Sequence, residues 1–230
     1  MIEQKYVLLI MSCTKYHDKM ILQKKSWLQD IPSYIKYFHV IGDSSLKKEY
    51  EFNYDENVLV VNTKDDYVSL PKKVIQAYYA VDNEYQYQFI FKTDDDQMLI
   101  KPHFFTTLIS LIDKTKSQYG GNVINVSQPY TSKYHLIHPD LPSNLPVYAT
   151  KYCSGRFYFL SKECLVDLLK KKLYIRNEFL EDYAIGYYMT EIFKDRILRI
   201  DTSIFFRDMT PEDAQYIDDI HSTSPPELFV

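Results

Sequence analysis

The sequence predicts an α/β domain assembled from βαβ units, and three observations carry that prediction. Short apolar runs rich in β-branched and aromatic residues recur from Tyr6 to Met11, Ile35 to Ile41, Asn57 to Asn62 and Phe89 to Phe91, the signature of buried strands. Segments with apolar residues at helical spacing lie between them. With 230 residues, 46% hydrophobic and 16% aromatic, the chain can bury one full core but hardly two, so one domain spanning 1–230 is expected.

The elements follow in order. Tyr6 to Met11 reads as a strand, and Ile21, Leu22, Lys25 and Leu28 set the period of a helix from about Asp18 to Leu28. The second strand ends at Gly42-Asp43. The acidic, Tyr-rich piece before the third strand reads as loop or short helix. Pro71 suits the first turn of a helix running to about Val81, with Asp66 or Ser69 as cap and Val74, Ile75, Tyr78 and Tyr79 on the buried face. After the fourth strand, Met98 to Ile100 returns to strand, and Pro102 opens a helix with Phe105, Leu108, Ile109 and Ile112 in period. Gly120-Gly121 reads as the stop of that helix. Residues 127 to 152, with four prolines among Tyr and His, read as a long irregular wall, ordered by its aromatics. CSGRFYFLS, 153 to 161, is a strand entered through Ser154-Gly155, where a missing side chain lets a ligand or backbone approach. Ser161 caps a helix to about Lys171, and 177 to 193 reads as one more helix with Glu178, Glu181 and Asp182 at its start.

The chemistry-bearing stretch is FKTDDDQMLI, in which a buried strand runs straight into Asp94, Asp95 and Asp96. Three adjacent carboxylates repel one another unless a cation or a set of donors sits among them. Two readings stand: a solvated acidic turn, or a site for a hard divalent ion such as Mg²⁺ or Mn²⁺ that leaves positions open for nucleotide phosphates. The acids at 178 to 182 likewise serve either the helix dipole or catalysis.

Composition narrows the classes. A net charge of −4 without a basic block argues against a nucleic-acid partner. No apolar run approaches the roughly 18 residues of a membrane span, and the opening KYVLLIMS is too short for a signal peptide. Cys13, Cys153 and Cys164 are odd in number and widely spaced, so neither a disulfide framework nor a zinc site is expected, and a reducing, cytoplasmic setting fits.

Five segments resemble, in order, the β-1,3-glycosyltransferases of the fringe and β-1,3-galactosyltransferase type. KYHDKMILQKKSWL resembles the opening helix that ends in a Trp; Asp65, Tyr67, Leu70 and Lys73 resemble the start of the next helix; FKTDDD resembles the metal motif; CSGRFYFLS resembles the Ser-Gly segment; and LEDYAIG resembles the late Glu-Asp signature. The order and spacing agree over roughly residues 6 to 208.

The resemblance implies a GT-A fold, a mostly parallel central sheet flanked by helices whose nucleotide-binding half is Rossmann-like, with a UDP-sugar donor at the carboxyl ends of the strands. It implies a nucleotide-sugar half over 1–126, an acceptor-binding and catalytic half over 127–209, and a tail over 210–230. Asp96 becomes the direct Mn²⁺ (or Mg²⁺) ligand, with Asp94 and Asp95 on the ribose, the sugar hydroxyls or a metal-bound water, and Asp94 a further metal candidate. Asp182 is implied as the general base, with Glu181 as its substitute. The outcome implied is inversion in one displacement, which moves the sugar to a glycan or protein hydroxyl in a β-1,3-type linkage. Lys73 and Arg156 become candidates for phosphate or uracil contacts beside Ser154 and Gly155.

The departures also carry expectations. Fringe-like relatives place a metal-binding His in a segment resembling TSIFFRDM, where this chain has Asp208; His221 is the other candidate. Arg156 and Phe157 stand where relatives often have Gly, which would narrow the donor pocket. Relatives of the secretory pathway carry an anchor helix and paired cysteines, absent here, which fits a cytosolic enzyme from a virus or microbe, or a trimmed piece of a Golgi-lumenal one. The alternatives are a catalytically silent binding or chaperone module, which would be expected to lose its Asp triplet or Glu-Asp pair, and another Mg²⁺- or Mn²⁺-dependent nucleotide transferase, which lacks a Gly-rich phosphate loop.

Overall fold

A computed structural model describes residues 1–210 together with 212 and 213. The elements in chain order are β1 (Ile2–Glu3), β2 (Tyr6–Met11), α1 (His17–Lys25), β3 (Ile35–Gly42), β4 (Tyr50–Asn53), β5 (Val58–Val61) and α2 (Leu70–Glu84). There follow β6 (Tyr85–Gln86), β7 (Phe89–Asp94), β8 (Gln97–Leu99), α3 (Phe104–Thr115), β9 (Tyr119–Val126), β10 (Tyr130–Thr131), β11 (Pro146–Val147) and β12 (Thr150–Ser161). Last come α4 (Lys162–Lys170), α5 (Lys172–Ile175), α6 (Glu181–Tyr188), α7 (Glu191–Lys194), β13 (Leu198–Arg199) and β14 (Phe206–Asp208).

Eight of these strands form one sheet in the order β13-β9-β12-β7-β2-β3-β5-β4. β7, β2, β3 and β5 run parallel, β4 reverses at one edge, and β12 inserts antiparallel between β7 and β9. Both faces are covered. Val7, Leu9 and Met11 of β2 enter a core under α2, α4 and α6, while Tyr6, Leu8 and Ile10 enter a second core under α1 and α3. That two-sided burial is why β2 is apolar at every position, as parallel central strands are.

The parallel strands all deliver their carboxyl ends to one edge, and β7 delivers the acidic triplet there. Its two-residue period puts Ile90, Lys92 and Asp94 on the α6 side and Phe89 and Phe91 on the other. Asp95 and Asp96 form a turn into β8, which pairs antiparallel with β14 so that Asp208 lies opposite Gln97. A cluster of Phe104, Phe157 and Phe206 anchors β14 from below, with ring centroids 4.9 to 5.3 Å apart.

Several expectations are corrected. The piece before the third strand contains β4, an edge strand with Tyr50 and Phe52 half-buried on one side and Glu51 and Asn53 in solvent. Gly120-Gly121 does not end a helix; the chain reverses earlier, at Lys116 with φ 56°, and both glycines lie inside β9. A Cβ at Gly120 would meet the Phe159 ring at 2.5 Å and at Gly121 the Phe157 carbonyl at 2.6 Å, so close strand approach demands them. The segment 177 to 193 is two helices, α6 starting only at Glu181, because Met189 turns extended and Thr190 bonds the Asp167 carboxylate. Ser161 caps α4 as expected, its hydroxyl accepting from the Cys164 amide. Among the described residues no helix is long and apolar enough to cross a membrane. His221 and nearly all of the tail lie outside the described residues.

Candidate functional site

Lys92 organises the floor of the site. Its side chain, 1% exposed, reaches the Asp94 carboxylate at 2.7 Å, the Glu181 carboxylate at 3.0 Å and the Gly155 carbonyl at 3.1 Å, so each ammonium proton has a partner. Such a buried cation persists only because two acids compensate it, and their charges hold it protonated, its pKa well above the ordinary lysine value. Glu181 is buried as well. One of its oxygens takes Lys92 and the other accepts from the Tyr158 hydroxyl, itself bonded to Tyr78 at 2.7 Å.

Asp182, the next residue, is held differently. Its Oδ2 accepts from the Gly155 amide at 3.0 Å and its Oδ1 from the Tyr183 amide at 2.7 Å, one backbone donor each, which leaves a lone pair free on both oxygens. Loss of hydration, reinforced by the Glu181 charge and opposed by Lys92, pushes its pKa up to about 6. Asp94 keeps 31% of its side chain exposed and is pushed up to about 7, chiefly by desolvation, with Lys92 opposing and Glu181 adding. A Cβ on Gly155 would lie 3.2 Å from Asp94 Oδ2 and from Lys92 Nζ, and 3.8 Å from Asp182 Oδ2. The glycine of the Ser-Gly strand is therefore the point where the two acidic segments meet.

β12 is irregular at this point, its pairing with β9 shifting between Cys153 and Tyr158. That bulge carries Ser154, Gly155 and Arg156, all half-buried, and bulges re-aim side chains beside sites. Thr93 fixes it from β7, its hydroxyl donating to the Arg156 carbonyl at 2.6 Å.

A second acidic pair stands at the turn. The Gln97 amide nitrogen donates to Asp96 Oδ1 at 2.9 Å and to Asp208 Oδ1 at 2.8 Å, drawing the two carboxylates together, while Gln97 Oε1 is buried without a partner among the described residues. Arg156 also reaches Asp208, at 2.8 Å. Among the described residues no three His, Cys, Asp or Glu side chains form a metal cage. Two carboxylates beside one orphaned amide oxygen still fit a hard divalent ion that takes its remaining ligands from water and phosphate.

The other sequence candidates fall around this centre. Asp95 is buried, accepting from Ser12 at 2.9 Å and pairing with Lys19 at 3.5 Å, and desolvation raises its pKa. Lys73 is buried behind Asp65, to which it is ion-paired, and donates to the Ser12 carbonyl at 2.7 Å. Asp65 in turn accepts from the Thr14 and Gly42 amides, tying the loops after β2 and β3 into one floor. Phe157 does not narrow a donor pocket: it is fully buried in the aromatic cluster below the sheet, on the face away from Asp94. The segment 127 to 152 is ordered by an aromatic stack, Tyr67 on His138 at 3.7 Å with Tyr134 beyond. Burial first, and the Asp182 charge after it, raise the pKa of Tyr67, Tyr134 and Tyr152 alike.

Sequence reasoning missed Lys92, Tyr158 and Gln97. The strand period offered a signal for Lys92, which shares its face with Ile90 and Asp94.

The sequence matches the galactosyltransferase family over residues 21–200. No curated protein matches it. Among solved structures it is similar to a glycosyltransferase involved in glycosylation of the major capsid of PBCV-1, with TM-score 0.53 and 11% identity over 95% of this chain and 100% of that one. It is also similar to residues 1–349 of S. aureus TarS, with TM-score 0.50 and 12% identity over 94% of this chain and 64% of that one, so it spans less than two thirds of that structure. A third likeness is to the 4-diphosphocytidyl-2C-methyl-D-erythritol synthase of Anaerococcus prevotii, TM-score 0.51, 12% identity, covering 95% and 99% of the two chains. At these identities the likenesses speak to the fold, a GT-A-type α/β architecture.

Proposed function

This chain belongs to the galactosyltransferase family and is a glycosyltransferase, and from that premise we propose that it moves a sugar from a UDP-sugar to a hydroxyl of a glycan or protein in one metal-dependent, inverting displacement, forming a β-1,3-type linkage. The observation that carries the proposal is the meeting of Asp94 and Asp182 at Gly155, with the Asp96–Asp208 pair beside them.

Asp182 is the base in this reading. It takes the proton of the acceptor hydroxyl as that oxygen bonds to the anomeric carbon, and the bond from that carbon to the diphosphate breaks with its electron pair leaving on UDP. Its free lone pairs and its raised pKa suit the task, whereas both oxygens of Glu181 are engaged. Asp94 Oδ2, turned toward the gap at Gly155, accepts from a donor-sugar or ribose hydroxyl. Asp96 and Asp208 would hold Mn²⁺ or Mg²⁺, which supplies Lewis-acid stabilisation of the charge developing on the diphosphate. Ser154, Gly155 and Arg156 line the donor side, with Arg156 available to the phosphates. Asp95 and Lys73 serve from behind, fixing the acidic turn and the nucleotide floor through Ser12 and Asp65. The tyrosine wall receives the acceptor.

Calorimetric titration with UDP, with and without Mn²⁺, followed by hydrolysis of a panel of UDP-sugars, tests the reading. Mn²⁺-dependent binding with slow hydrolysis of one donor is expected. Absence of UDP binding at any Mn²⁺ or Mg²⁺ concentration would overturn it.

A further inference from the structure

Gln23 is a fully buried amide in the last turn of α1, near the core residues Met20 and Leu22. An amide in such a place is disfavoured unless its hydrogen bonds are made. Here they are made to the acidic turn. Gln23 Nε2 donates to the Gln97 carbonyl at 2.8 Å and to the Asp94 carbonyl at 3.3 Å, the two ends of the four residues that carry every acid of the triplet. Two carbonyl partners fix the orientation of the amide, so its oxygen faces His39, whose Nε2 donates to it at 2.9 Å. The imidazole is itself fully buried in β3, its Nδ1 has no partner among the described residues, and burial pushes its pKa down to about 3, so it stays neutral. On the opposite side the Asp96 carbonyl is tied to the Met209 amide at 2.7 Å. The turn is thus clamped from α1 and from the strand that bears Asp208.

We propose that Gln23, oriented by His39, is the positioning residue that sets the geometry of the Asp94–Gln97 turn and through it the affinity for a metal-bound nucleotide diphosphate. Neither residue touches the ligand: each acts through the backbone that aims Asp94, Asp96 and Gln97. The ligand-binding half of this inference rests on the proposed function; the clamp itself rests on geometry alone.

The test compares the full chain with Gln23→Met, which keeps the volume and removes the amide, and with His39→Phe, which removes the orienting donor and leaves the Gln23 amide in place. Amide hydrogen exchange across residues 94–97 and calorimetric titration with UDP and Mn²⁺ are read on each folded protein. Losing both hydrogen bonds to the turn should speed exchange there and weaken Mn²⁺-dependent UDP binding by about tenfold in Gln23→Met, with a smaller change in His39→Phe. A residue needed only for core packing would lower the unfolding temperature and leave both readouts unchanged in the folded protein, which would overturn the proposal. Should Gln23→Met fail to fold, His39→Phe decides by the same two readouts. Faster turn exchange in a protein whose parent form takes up no UDP with Mn²⁺ would uphold the clamp and refute the nucleotide reading.

Discussion

Glu181 and Asp182 are neighbours in the first turn of α6, yet the fold treats them oppositely. Glu181 points into the core, where Lys92 and Tyr158 consume its two oxygens; Asp182 points to the cleft, with one backbone amide on each oxygen and capacity to spare. The same contrast separates the inner half of the site from its mouth. Around Lys92 both carboxylates are ion-paired and Glu181 is buried, whereas Asp96 and Asp208 share one amide at the surface, Asp208 with 68% of its side chain exposed. A buried ion cluster that is fully paired holds a shape. Carboxylates left with open lone pairs beside it are the ones able to take a proton or a cation.

That contrast can be broken from either side. Lys92→Met should have the largest effect: it strands two acids around an empty centre, and losing one member of a buried ion cluster costs ~3–5 kcal/mol, so thermal unfolding should move down by many degrees whether or not ligand is present. Asp96→Ala should do the reverse, leaving the unfolding temperature of the free protein nearly unchanged and weakening Mn²⁺-dependent UDP binding by about a hundredfold. If both variants lost stability equally, the division into an inner scaffold and an open mouth would be wrong. Gly155→Ala probes the seam. Its added methyl, 3.2 Å from Asp94 Oδ2 and Lys92 Nζ, requires shifts of a few tenths of an ångström, and turnover should fall by about tenfold or less with stability within ~1 kcal/mol.

Much of this was legible in the residues. The strand-helix alternation, the acids at the end of β7 and the Ser161 cap are local signals, carried by period, propensity and short-range hydrogen bonding. What failed depended on distant partners. Tyr50–Asn53 pairs as an edge strand only because β5 lies beside it, and Gly120-Gly121 looks like a helix stop until β12 and β13 press against it. Lys92 carries no local signal of its role in FKTDDD because its buried partner Glu181 is 89 residues away. Gln23 was hidden for the same reason: nothing near it in sequence announces that its partners are the carbonyls of a turn 71 and 74 residues on. Phe157, expected to narrow a donor pocket, lies on the face away from Asp94, since the bulge in β12 re-phases the strand there.

Asp182, and not its paired neighbour, is the proposed base. The most direct measurement is the pH dependence of kcat/KM for the parent protein and for Asp182→Asn, alongside UDP affinity with Mn²⁺. A base works only when deprotonated, and with its pKa raised to about 6 the parent protein should lose activity as pH falls below that value and level off above it. Asp182→Asn should bind UDP as tightly as the parent, turn over about 10²–10⁴-fold more slowly, and show no such acid limb. Turnover near the parent rate with the acid limb intact would contradict the account and move the base elsewhere in the cleft.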